Sequence, residues 1–338
     1  MPDPFLDGPL SGADGYGHGR RLRVGVLSNP RSGGNRRGGQ GVRKVLAAWP
    51  EVLQREACTP EEVAKALADF AGDGVELVVI NGGDGTVHAA LTAIGNAATF
   101  PRPPLLALLC AGTTSMLPRD VGFSGSPAAA LPRILAWAQT TDASLVVRPR
   151  PVLRVQRFPP QAPLFGMFFG AGAICQGIRL FHARDNARGW RGELMPAYTM
   201  LRLLLSVLFG GGKEVPPVRS GTSLDGHPPE QRADLLILIS TLERLFLGLR
   251  PYWGVEAGPL HYTAVGAEPR YLPRVLGSLF RRHKSRHAIS ANGYFSHNVR
   301  EVQLDMAGDF TLDGELYTAG EGPVTIASAG PAWFLCPR

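Results

Sequence analysis

Cysteine is scarce and scattered in this chain: Cys58, Cys110, Cys175 and Cys336 are the four among 338 residues. None stands at metal-ligand spacing from another, so neither a zinc site nor a disulfide framework is expected, and idle thiols in a reducing compartment are. Long apolar runs are missing too. None reaches the ~18 residues that argue for a membrane-spanning helix. Residues 1–20 lack the charged-then-apolar order of a secretory signal and read as a loose tail. No internal repeat and no long low-complexity tract is present. Acidic residues are outnumbered, 28 Asp+Glu against 35 Lys+Arg, which leaves a formal charge of +7. These absences exclude a secreted miniprotein, an integral helical membrane protein and a fibrous repeat. What remains is a soluble, basic, cytoplasmic protein. Hydrophobic residues make up 44% of it and charged residues 19%, a globular balance, with length enough for two domains.

Glycine (42) and proline (29) are abundant, so turns and short elements are frequent. The first half alternates strand and helix. LRVGVLS (22–28), VLQREA (52–57), VELVVI (75–80) and LLALLC (105–110) read as strands. Between them, Val42, Val45, Leu46 and Trp49 recur at helical spacing, as do Val87, Ala90, Leu91 and Ile94. TPEEVAKALADFA (59–71) opens with a threonine cap, a proline in the first helical position and two glutamates in the first turn. Such alternation implies a mostly parallel sheet covered on both faces. From about residue 144 the pattern turns β-rich. Strands are expected at 164–173, 233–240, 260–265, 299–305, 309–314 and 323–328, with helices at 197–209 and 271–286. The reading is α/β: a tail (1–20), a Rossmann-like nucleotide-binding domain (21–143) and a β-sandwich domain (144–338) whose extreme C-terminus packs back on the first.

Gly82-Gly83-Asp84-Gly85-Thr86 follows one strand and opens a helix. Glycines let backbone approach a polyphosphate closely, and the helix start offers N–H groups and a positive dipole end. A carboxylate beside phosphates repels them unless a divalent cation intervenes, so Asp84 implies Mg²⁺ close by, through water. Asn29-Pro30-Arg31-Ser32-Gly33-Gly34 and Ala111-Gly112-Thr113-Thr114-Ser115 end two further strands. All three loops fall at the C-terminal edge of one parallel sheet, where open α/β folds bind ligands.

NPRSGG, GGDGT and GTTS, in this order, resemble the diacylglycerol kinase catalytic domain family of lipid kinases, which includes diacylglycerol, sphingosine and ceramide kinases. The resemblance implies a nucleotide-binding α/β domain, a β-sandwich domain and an active site in a cleft between them. It implies ATP and Mg²⁺ as cofactors. For nucleotide binding it implies Asn29, Thr59, Gly82, Gly83, Asp84, Gly85, Thr86, Val87, His88, Ala89, Gly112 and Thr113. His88 and Ala89 stand where the family often has Asn-Glu, and Ser115 where it often has Asn. In Leu312-Asp313-Gly314-Glu315, Asp313 matches the family's proposed general base, which takes the proton of a lipid hydroxyl as it attacks the γ-phosphoryl group. By local chemistry alone Asp-Gly is a hairpin turn, the reading kept for Asp225-Gly226.

The expected activity is an ATP-dependent lipid kinase acting on a diacylglycerol-like or sphingoid hydroxyl. The alternatives are a soluble-substrate kinase of the NAD-kinase type and a catalytically weak, nucleotide-responsive protein of the membrane surface. A lipid substrate implies peripheral membrane association, and no nucleic-acid partner is expected. Arg281, Arg282, Lys284 and Arg286 are candidates for docking on anionic headgroups, as is the leucine stripe Leu201, Leu204, Leu205 and Leu208.

Overall fold

The structure is a computed structural model that describes residue 5 and residues 21–96, 100–112, 115–140, 144–159, 161–179, 216–245, 248–280 and 285–338. Two compact units are formed: Met1–Val152 with Ala329–Arg338, and Leu153–Ser328. The sequence draws its boundary at 143/144, whereas the chain changes unit inside two continuous strands, β5 (Leu145–Gln156) and β15 (Val324–Pro337).

In the first unit, β1 (Val24–Ser28), β2 (Leu53–Glu56), β3 (Leu77–Gly82) and β4 (Leu105–Cys110) are joined by α1 (Asn35–Ala47), α2 (Pro60–Gly72) and α3 (Asp84–Asn96). Pairing is parallel throughout, in the order β4-β3-β1-β2, and the end of β15 adds itself beside β4 with Phe334 opposite Leu106. The register stacks Val24, Leu77 and Leu105, then Val26, Val79 and Ala107. These side chains form one core with Val42 and Leu46 of α1 and Leu131, Ile134 and Leu135 of α5 (Pro127–Thr140). On the other face Gly25 leaves room for the Phe70 ring of α2, which packs beside α3. Burial on both faces explains why these strands read as continuous apolar runs. Thr59 caps α2, its hydroxyl accepting from Glu62 N while Glu62 reaches back, with Pro60 at the start.

The second unit is antiparallel and β-rich. Its path runs β14 (Glu315–Thr318), β13 (Asp309–Leu312), β7 (Phe168–Gly172), β9 (Glu230–Ser240), β8 (Val218–Leu224), β12 (Glu301–Met306) and the start of β15. β10 (Leu260–Gly266) pairs with β9 and with β11 (Tyr294–Val299), and β6 (Leu164–Gly166) pairs with β5. Ile237, Ile239, Tyr262, Val302, Leu304, Phe310 and Ile326 share its core. The strand expected at 164–173 is broken at Met167 into β6 and β7, and the helix expected at 271–286 is α6, Leu272–Phe280. α4 (Met116–Val121), α5, β8, β11 and β14 are elements the sequence reading passed over. The helix expected at 197–209 and its leucine stripe lie outside the described residues. No helix among the described residues is long and apolar enough to cross a membrane.

Candidate functional site

Strand order places the site. The chain leaves β1 toward β2 on one side and leaves β3 toward β4 on the other, so the β1 and β3 ends flank a topological switch point, where a crevice opens in such sheets. The loops following both strands are tied across it. Asn29 donates its backbone N–H to Asn81 O (2.9 Å), and its amide donates to Thr86 Oγ1 (3.0 Å). Asn35, at the start of α1, donates to Asn29 O (2.8 Å) and to Asn81 O (2.9 Å). Asn81 donates to Ser28 Oγ (3.1 Å), and Gly83 N donates to Ser32 Oγ (3.2 Å). The Asn81 Oδ1 atom is buried without a hydrogen-bond partner.

The third loop is pinned to the second. Asp84 is buried as the first residue of α3. Its carboxylate accepts from Met116 N and Leu117 N, both at 3.0 Å, capping α4. Gly83 and Gly112 pass backbone to backbone: a Cβ on Gly112 would stand 2.7 Å from Gly83 Cα. Any larger residue at Gly112 would separate the loops. Ser115 holds a left-handed conformation (φ 46°), and its Oγ accepts from Gly112 N (3.0 Å). Burial pushes the Cys110 thiol at the end of β4 upward, against the pull of Ser115 and Arg119, so it stays neutral here.

Asn29, Gly82, Gly83, Asp84, Gly85, Thr86 and Gly112 therefore stand together at the switch point. Val87, His88 and Ala89 follow in the first turns of α3 and are buried. Thr59 ends the segment after β2, and its hydroxyl serves the α2 cap. Thr113 lies outside the described residues. Sequence reasoning does not single out Asn35, Asn81 or Ser28, whereas Ser32 stands in the first of the three loops it names. A signal existed for Asn35, a cap-favouring residue at a helix start after two glycines.

The donor set can be tested against ATP with its Mg²⁺. The start of α3 suits a polyphosphate. Both Asp84 oxygens accept a backbone N–H, and a carboxylate held in this way suits contact with Mg²⁺ through water rather than direct coordination. Mg²⁺ keeps several waters when bound beside phosphates, so the residues fit an outer-sphere role. No cluster of three or more His, Cys, Asp or Glu is present among the described residues.

In the second unit Asp313 occupies the turn between β13 and β14 at φ 51°, followed by Gly314 at φ 94°. It is only 2% exposed. Its carboxylate accepts from Met167 N (3.1 Å) and Phe168 N (2.9 Å), at the break between β6 and β7. A Cβ at Gly166 would collide with the same carboxylate. Arg286 is described and exposed, whereas Arg281, Arg282 and Lys284 lie outside the described residues.

Residues 23–146 match the sequence model of the family described as diacylglycerol kinase catalytic domain, so the resemblance drawn from the three loops is shown over that segment. The match supports a kinase. Among solved structures, a provisionally assigned diacylglycerol kinase from Bacillus anthracis str. Sterne aligns with TM-score 0.66 at 17% identity, covering 94% of this chain and 95% of that one. A second structure so described, from the same organism, gives TM-score 0.62 at 17% identity, over 94% and 98%. At such identity the likeness establishes the fold: a parallel α/β unit with an antiparallel β-rich one. A comparison with curated proteins finds no match.

Proposed function

We propose that this protein is an ATP- and Mg²⁺-dependent lipid kinase that transfers the γ-phosphoryl group to a hydroxyl of a diacylglycerol-like or sphingoid lipid. The observation that carries the reading is the family match over 23–146, which coincides with the three loops tied together at the switch point. In this reading the α3 start and the Gly83–Gly112 approach hold the phosphates, with Asn29, Thr86 and the segment through Ala89 around them. Thr59 and Thr113 complete the nucleotide set. Mg²⁺, when bound, neutralises charge on the transferring phosphates. Asp84 orients its water while holding α4 in place. Asp313 accepts the proton of the lipid hydroxyl, fixed in orientation by the N–H groups of Met167 and Phe168. In this reading the lipid acceptor brings the protein to a membrane surface, and the need for ATP puts it on the cytoplasmic side.

The test is transfer of radiolabelled phosphate from ATP to a panel of lipids and to NAD. Labelled lipid supports the proposal, and labelled NAD without labelled lipid overturns it. Asp313→Asn should lower kcat by ~10²–10⁴, the usual worth of a positioned general base, with little change in ATP affinity. Unchanged kcat in a folded Asp313→Asn protein removes the base assignment. Asp84→Asn should abolish Mg²⁺-dependent transfer.

A further inference from the structure

The connection between β10 and β11 is strongly basic. Residues 267–293 hold six Lys+Arg, and Glu268 is their one acidic residue. α6 anchors this excursion through Val275, which packs with Leu272, Ala288, Tyr294, Trp253 and Val265. Its outer side carries a contiguous cluster. Arg274 lies over the Tyr271 ring (5.6 Å to the centroid), Tyr271 packs on the His287 ring (4.5 Å), and Arg286 Nε donates to His287 Nε2 (3.3 Å). Ile289, whose backbone N–H bonds to His287 O, extends it.

This cluster is amphipathic in the open. Tyr271 and Ile289 are 47% and 46% exposed, two of the four exposed large hydrophobics among the described residues. Tyr271 is also held at φ 58°, a conformation a bulky residue adopts only when its surroundings impose it. Apolar side chains standing in water between guanidinium groups match a bilayer interface. Tyrosine and isoleucine can enter the headgroup zone while the arginines meet lipid phosphates. A nucleic-acid backbone would use the cations and leave Ile289 without a partner.

We propose that Tyr271, Arg274, Arg286 and Ile289 form a docking surface for an anionic lipid bilayer. This deepens the lipid-kinase reading by naming the surface that meets the membrane, but its test needs no catalysis. Sedimentation of the full-length protein is measured with phosphatidylcholine vesicles, with and without phosphatidylserine, in the absence of ATP. The parent should bind the phosphatidylserine vesicles, and added salt should weaken binding. Each cation near an anionic surface is worth roughly a fivefold change in partitioning, so Arg274→Gln with Arg286→Gln should lose about 25-fold at low salt. Ile289→Ser should weaken binding at every salt concentration. Arg102→Gln with Arg133→Gln, which removes the same charge from exposed sites on the first unit, should bind as the parent does.

Equal partitioning by the Arg274/Arg286 variant and the parent overturns the proposal. So does an equal loss in the Arg102/Arg133 control, or a parent that prefers a DNA duplex to the anionic vesicles. Vesicle binding without any lipid phosphorylation leaves this surface standing and removes the lipid-kinase reading. Lipid phosphorylation without vesicle binding does the reverse.

Discussion

Asp225-Gly226 and Asp313-Gly314 are the same turn twice. Both aspartates are left-handed (φ 50° and 51°), and both glycines follow at positive φ (77° and 94°). Each carboxylate accepts two consecutive backbone N–H groups from a distant segment: Arg300 and Glu301 for Asp225, Met167 and Phe168 for Asp313. Burial separates them. Asp225 is exposed, whereas Asp313 is 2% exposed. Asp84 repeats the device in the first unit, on Met116 and Leu117. A carboxylate that holds two N–H groups is fixed in direction, so in a buried site one residue can serve structure and chemistry together. In an exposed turn water replaces whatever the carboxylate gives up.

This contrast can be broken by mutation. The largest effect is expected for Asp313→Ala. It strands two N–H groups away from water at about 1–3 kcal/mol each, so urea unfolding should show a loss of about 2–5 kcal/mol. Asp225→Ala should cost about 1 kcal/mol in the same measurement, because solvent reaches its partners. A cost at Asp225 equal to that at Asp313 would show that burial is not the deciding term. Gly226→Ala and Gly314→Ala should cost about 1–2 kcal/mol each and match one another. An added Cβ meets nothing within 4 Å at either position, so these variants report backbone strain without burial.

The smallest effect sharpens the exposed end of the comparison. Glu256 is held down to about 2 from 4.5, by a hydrogen bond to His297 first and by backbone N–H groups next. A depressed carboxyl contributes stability above its unfolded value and loses it as pH falls through the folded one. Stability should therefore decline between about pH 4.5 and pH 2, and Glu256→Gln should flatten that decline. With the side chain 46% exposed, solvent screening limits the term to a few tenths of a kcal/mol. A larger pH dependence removed by Glu256→Gln would contradict this.

Much of the site was legible in sequence because its signals are local. A glycine-rich loop between a β-rich run and a helical repeat fixes the α3 start, and three such loops at strand ends predict one edge. The α2 start was legible through Thr59, Pro60 and Glu62. Asn35 marks a helix start, but that it reaches Asn81 O, and that Asn81 reaches Ser28 Oγ, was not legible, since these partners stand 46 and 53 residues away in sequence. The break at Met167 was equally hidden, because its cause, Asp313, stands 146 residues away.

The sequence by itself determined the alternation of strand and helix, the change to β-rich chain near residue 144, the three loops and both Asp-Gly turns. Each follows from a period or a turn preference that acts over a few residues. Tertiary structure alone decided which Asp-Gly turn is buried, how Asn35 joins β1 to β3, and that β15 begins in the antiparallel unit and ends beside β4 in the parallel one. Those outcomes depend on register between segments far apart in the chain. Register is set by which faces bury together, a sum over many contacts that no short stretch contains.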